Sequence, residues 1–185
     1  MKTPRVYWIL ACTATLLFCA VSFCARDGVP KYRFAFLFLS PLLWGVFLLR
    51  RRLAIAPLHF GLFALALLLH DLAAFGLYQR SYLGLRYDWY IHFFFGLVGG
   101  LIVARALSIR LGLHGPLLAL FTVLLITGIG GFHELFEWTT TLVLGKEQGM
   151  LNVGASNPWD TQQDLLNNVL GSSTACVLRL LRARS

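Results

Sequence analysis

Apolar residues along this chain run in long blocks rather than alternating with polar ones. Six stretches stand out, at 6–25, 34–49, 55–78, 87–107, 116–144 and 164–181. A helix crosses the ~30 Å hydrocarbon core of a bilayer with about 20 residues, within a range of about 17–25. The pattern therefore predicts an all-α, polytopic transmembrane helix bundle of about six spans in a single membrane domain, 1–185. The second stretch is short at 16 residues, and the stems of Lys31 and Arg33 can extend it by snorkelling. The fifth, at 29 residues, should tilt, bend near 128–131 or emerge beyond Trp138. The sixth is the least apolar, opening with Asp164, Asn167 and Asn168. Lys2 and Arg5 followed by an apolar run imitate a signal peptide, but the small-residue cleavage pattern is poor and further spans follow. A retained first helix is the reading.

Composition agrees. Of 185 residues, 58% are apolar and 13% charged, with mean hydropathy +0.71, so lipid must be the solvent for much of the chain. The net charge of +8 raises nucleic acid as a partner, but Lys and Arg punctuate apolar runs and form no continuous basic face. That class is excluded. Cys12, Cys19, Cys24 and Cys176 lie within apolar segments and form no C-x-x-C pair, so they read as packing residues.

Charge also gives an orientation. With the N-terminus inside, the inner flanks carry Lys2, Arg5, Arg50, Arg51, Arg52, Arg105, Arg110, Arg179, Arg182 and Arg184, ten of the 16 basic residues. The sequence thus predicts both termini in the cytoplasm and an external loop at 145–163. All eight acids, Asp27, Asp71, Asp88, Glu134, Glu137, Glu147, Asp160 and Asp164, then fall in outer loops or outer halves of spans. The Gly, Asn and Ser content of 145–159 suits an irregular lid or an ordinary connector.

Helical rise places His70, His92 and Glu137 roughly 12, 8 and 10 Å below the outer ends of their spans, with His133 a turn deeper. Within spans the spacings are helical: Asp88 and His92 are four apart, as are His133 and Glu137, while Glu134 projects about 100° away. Asp160, Asp164 and Asn168 make a further row of fours, if the last helix begins early enough. His70 and Asp71 are neighbours and cannot both aim at one target. An ionised Asp at a helix centre costs about 2.5–3.5 kcal/mol, so such a layer must be paired, protonated, metal-bound or wet.

The stretch at 133–137 reads H-E-x-x-E, a partial match to the zinc pattern H-E-x-x-H in which the intervening Glu is the base. Alone it is better explained by a helix-locking hydrogen bond. Together, the His and carboxylate groups predict one site near the outer face, with His92, His133, Glu137 and Asp164 as metal ligands and Glu134 as general base. His70, Asp71, Asp88, Asp160 and Asn168 support it. The donor set suits a divalent metal such as zinc, manganese, iron or magnesium. His59 and His114 lie towards the other side, and Arg105 to Arg110 reads as a cytoplasmic anchor. Gly96 and Gly100, and the glycines at 128–131, permit close helix approach that would draw His92 towards His133.

The combination of His70-Asp71, Tyr87-Asp88-Trp89 with His92-Phe93, His133-Glu134 with Glu137-Trp138, and Asp160-Thr161-Gln162 with Asp164 and Gly171 resembles the YjdF family of bacterial inner-membrane proteins. The resemblance runs from about His70 to Gly171. Asp164, Asn168 and Gly171 are more distantly similar to VanZ-like membrane proteins. These resemblances imply a multi-pass protein of the bacterial inner membrane and one shared polar site, but no chemistry. Three functions fit: a metal-assisted enzyme acting on a lipid-linked or envelope substrate, a non-enzymatic binder or transporter of a cation, proton or ligand, and a structural clamp.

Overall fold

The structure, a computed structural model, describes residues 5–25, 35–145 and 159–182. All six apolar stretches are helical: α1 (Arg5–Cys24), α2 (Phe36–Leu49), α3 (Pro57–Asp71), α4 (Tyr87–Leu111), α5 (Gly115–Leu144) and α6 (Asp160–Arg182). The chain is an all-α membrane helix bundle. Four segments, Arg5–Cys24, Pro57–Phe75, Tyr87–Leu111 and Gly115–Leu144, have the length and hydropathy to cross a bilayer. α2 is short at 14 residues, and α6 is too polar on one side to qualify by composition. Most of the expected external loop, 146–158, lies outside the described residues.

Three boundaries differ from the sequence reading, each for a local reason. α3 stops at Asp71 rather than running on to Tyr78; two 3-10 turns follow, Leu72–Phe75 and Leu77–Gln79, separated by Gly76 at φ 76°. That left-handed residue costs glycine nothing sterically and breaks the helix. α4 continues to Leu111, where Gly112 closes it in the same conformation. α6 starts at Asp160, which completes the row of fours. α5 is one helix of 30 residues across the glycines at 128–131. The sequence reading also lacked the hairpin of β1 (Ser81–Tyr82) and β2 (Leu85–Arg86), turned by Leu83 and Gly84 at φ 51° and 78°. Two positive φ angles make the tight turn whose twist matches paired strands.

Apolar packing gathers α1 to α4 around Phe18, Leu43, Phe47, Phe60, Leu67 and Val98. Aromatic rings stack edge-on through it, Tyr7 on Phe60 and Phe47 on Phe60. At the arginine-bearing end, the Tyr7 hydroxyl donates to the Ile55 carbonyl at 2.6 Å. Arg105 donates to the Ala54 carbonyl at 2.7 Å, and Arg110 donates to the carbonyls of Arg51 and Arg52. These two arginines therefore staple the α2–α3 loop to α4. Of the cysteines, Cys12, Cys19 and Cys24 are exposed on the bundle surface, and only Cys176 is buried in packing.

The tightest helix contact is α4 against α6. A Cβ on Gly96 would stand 2.5 Å from the Asn168 carbonyl oxygen, and one on Gly171 would strike the Phe93 carbonyl and the Leu97 nitrogen. Small residues thus let backbone meet backbone, the usual means of association where lipid removes the hydrophobic drive. Gly96 and Gly100 serve this seam with α6, and Gly130, not Gly128 or Gly131, brings α5 onto Asn168.

Candidate metal centre

α6 is amphipathic in an inverted sense. Asp160, Asp164, Asn168 and Ser172, spaced by four, are buried towards the bundle, while Leu166, Leu170 and Val177 are exposed. That polar row lies against the α4 face that carries Asp88 and His92. Ligand atoms of Asp88, His92 and Asp164 all come within 4.8 Å of one another, and all three residues are buried. His92 Nε2 is 3.5 Å from Asp88 Oδ1 and 3.6 Å from Asp164 Oδ2. Ligand–zinc distances near 2.0–2.2 Å put neighbouring donors roughly 3–4 Å apart, so the trio has the spacing of a shared ion.

The imidazole is held from its other side. Asn168 Nδ2 is 3.5 Å from His92 Nδ1, and the Asn168 amide oxygen is buried without a hydrogen-bond donor among the described residues. With Nε2 facing carboxylates, Nε2 carries the ring proton and Nδ1 accepts from the Asn168 amide; an ion on Nε2 would move the proton to Nδ1, where a half-turn of the Asn168 amide would give it an acceptor. Asp164 Oδ1 is likewise buried without a donor. Acid charge is balanced at the helix entrance by Arg86, which the hairpin delivers. Its guanidinium donates to Asp160 Oδ1 at 2.7 Å and reaches Asp88 Oδ2 at 3.5 Å. Burial works against the charge on Arg86, but the bond to Asp160 and the nearby carboxylates outweigh it and raise its pKa.

The four ligands expected from spacing are divided between two groups. His92 and Asp164 sit in the trio, with Asp88 as its third member. His133 and Glu137 form a neighbouring pair, Nε2 to Oε1 at 3.2 Å. Three imidazoles line up: the ring centroids of His92 and His133 are 6.0 Å apart and those of His133 and His70 are 5.9 Å apart. His70 Nδ1 is hydrogen-bonded to the Tyr78 hydroxyl, a partner that the sequence reading did not single out. Glu134 turns to the opposite flank of α5, into a groove with Thr161 and Trp138. It interacts electrostatically with His92 and Asp164 without touching them. Thr161 is near Glu134 but is not placed to donate a normal hydrogen bond to it. Asp71 is fully buried, with neither oxygen hydrogen-bonded among the described residues, and stands outside the trio. Arg86 is not among the site residues expected from the sequence; its place two before Asp88 was the available signal.

The family described as predicted membrane protein (DUF2238) matches residues 5–185. The chain belongs to that family. A curated relative, the inner membrane protein YjdF of Escherichia coli (strain K12), is 30% identical over 106 residues, 55% of this chain and 51% of the relative. The chain thus spans about half the length of the relative it matches. No solved structure matches it. Family membership, the relative's location and the long apolar helices together make this a multi-pass inner-membrane protein.

Proposed function

We propose that the chain is a divalent-metal protein of the membrane whose Asp88–His92–Asp164 centre assists chemistry on a lipid-linked or envelope substrate. The observation that carries this reading is a buried trio of two carboxylates and one imidazole, with ligand atoms within 4.8 Å, held by two closely packed helices. Burying such groups in hydrocarbon without an ion or a fully paired network is costly. Two hard carboxylate oxygens and one imidazole nitrogen suit zinc, manganese, iron or magnesium. Three protein ligands leave coordination positions for water or substrate, and an ion there would supply Lewis-acid assistance to an oxygen-rich group. Glu134, across α5, is the nearby carboxylate for proton transfer through a water. The orientation predicted from basic residues opens this site to the periplasm.

The line from Tyr78 through His70 and His133 to His92 supports a second reading, in which the same groups move protons or hold a cation without catalysis. Metal analysis of purified protein decides between them. The proposal expects about one divalent ion per chain in the wild type and loss of it in both Asp164→Asn and Asp88→Asn. A metal-free wild type that retains no added zinc, manganese, iron or magnesium would sink it and leave the proton relay. Reporter fusions should place Arg52 and Leu111 inside and Arg80 outside; reversal at Arg52 would move the site to the other face.

A further inference from the structure

A cavity of about 590 Å³ lies between α2, α3, α4 and α5, and its two ends differ in chemistry. One end is lined by His70, His92, His133 and Asn168; everything else in its wall is apolar. Along α4 the lining runs from His92 to Leu107, 15 residues, or roughly 22 Å of helix. None of the carboxylates of the metal centre lines it. Of the ring nitrogens at that end, His70 Nε2 and His133 Nδ1 are not taken up by the contacts described above, while His92 Nε2 faces the acids behind it. The cavity opens sideways. α2 and α5 hardly touch along their length; Phe38 and Phe136 meet edge-on at the histidine-bearing end, and Leu42, Leu125 and Ile129 in the wall are about half exposed.

We propose that this cavity binds a single-chain lipid with a terminal phosphate, which enters between α2 and α5 and sets its head group against His92, His133 and His70. The proposal rests on the metal-centre reading for what happens to that head group, but the cavity itself does not. Three features select the occupant. The wall is apolar and faces a membrane, so a hydrocarbon chain is the abundant guest. The volume is about 20 times the ~30 Å³ of a liquid water, and a methylene needs about as much, so one long chain fits and two do not. With the Tyr78 hydroxyl on His70 Nδ1, His70 Nε2 carries an N–H at the polar end, which suits an acceptor-rich phosphate rather than an amine. A lined length of roughly 22 Å is also enough for one extended chain of ordinary lipid length, in keeping with the volume.

The test uses the full chain in phosphatidylcholine nanodiscs, photolysed with hexadecyl phosphate that carries a diazirine near its chain end. Saturable labelling is expected at the α4 and α5 walls, around Val103 and Leu125. Unlabelled hexadecyl phosphate should reduce it at least tenfold, and diacyl phosphatidylcholine should not compete. Val103→Phe and Val46→Phe fill the cavity from two different helices, and each should reduce labelling at least fivefold. Leu124→Phe, on the outer surface of α5, should not. Labelling that does not saturate, or that yields equally to diacyl phosphatidylcholine, overturns the proposal. So does undiminished labelling in both filling variants. Should both variants misfold, saturation and competition in the wild type decide by themselves. Metal failure is read separately: saturable labelling in a protein that binds no metal overturns the metal centre and keeps the lipid cavity, whereas bound metal without saturable labelling does the reverse.

Discussion

Two sides of α4 illustrate opposite uses of the membrane environment. Towards α6, Gly96 and Gly171 remove side chains from the closest approach and bring the backbones within van der Waals reach. Towards α2 and α5, large side chains such as Phe63, Phe95 and Leu125 surround an open cavity instead of closing it. The polar groups sit on the tight side because an ion site tolerates little error: donors must keep separations of roughly 3–4 Å. The apolar side has no such requirement, since lipid can fill what protein leaves open. His92 belongs to both, with Nε2 towards the acids and its ring in the cavity wall. One imidazole thus joins a rigid seam to a compliant pocket.

The largest expected effect breaks the tight side. A methyl group at Gly171 has nowhere to go, because backbone atoms of Phe93 and Leu97 occupy its place and cannot rotate aside. Gly171→Ala should therefore push α6 off α4 and destabilise the protein by about 3 kcal/mol or more. Thermal unfolding in detergent measures this, and bound metal should be lost with it because Asp164 moves away from His92. A Tm within a degree of wild type would show that the seam is looser than its geometry indicates.

Next in size is a change that leaves the packing intact and alters only the ligand. Asp164→Asn keeps shape and hydrogen bonding but removes an anionic donor, and should weaken metal binding at least tenfold, about 1.4 kcal/mol. Glu137→Gln, which touches His133 rather than the trio, should change affinity less than threefold. Isothermal titration with zinc and manganese separates the two variants. Equal losses would mean that His133 and Glu137 join the coordination sphere, giving the four-ligand set expected from spacing.

The pattern of the chain showed the bundle more clearly than the site. Long apolar runs leave a spanning helix few alternatives, so all six stretches are helical within a few residues, apart from the early end of α3. Gly76 was visible, but nothing local said that its left-handed conformation would be used there. The Asp88–His92 and Asp160–Asp164–Asn168 rows followed from helical periodicity. What periodicity could not supply was rotation between helices. It set His133 beside Glu137 but left open whether that pair would reach Asp164, and that depends on Gly130 and Gly96, not on the polar residues themselves. Arg86 was illegible for a similar reason: a two-residue turn at Leu83 and Gly84 decides where its guanidinium reaches.

Arg86 provides a smaller test of opposite sign. Its charge lies beside the site and competes with any cation for Asp88 Oδ2. Arg86→Gln should therefore raise divalent affinity about threefold, roughly 0.7 kcal/mol. Stability should fall modestly at the same time, because Asp160 loses a 2.7 Å partner that is only partly shielded from solvent. Lower affinity in Arg86→Gln would show that Arg86 positions Asp88 more than it repels the ion.

The smallest effect belongs to the open side. Gly45 lies within α2, and a Cβ there meets no atom within 4 Å. Nothing in the structure needs its lack of a side chain, so what remains is the entropy that glycine loses when the helix forms. Gly45→Ala should stabilise the protein by about 0.5 kcal/mol, seen as a small rise in Tm in the same unfolding assay as Gly171→Ala. The same substitution thus has opposite signs on the two sides of the bundle. A destabilised Gly45→Ala would mean that something packs against α2 in the membrane, and a rise in Tm only above a threshold protein concentration would identify it as a second copy of the chain. Fixed stability at every concentration leaves lipid as the neighbour of α2, as a lateral entrance to the cavity requires.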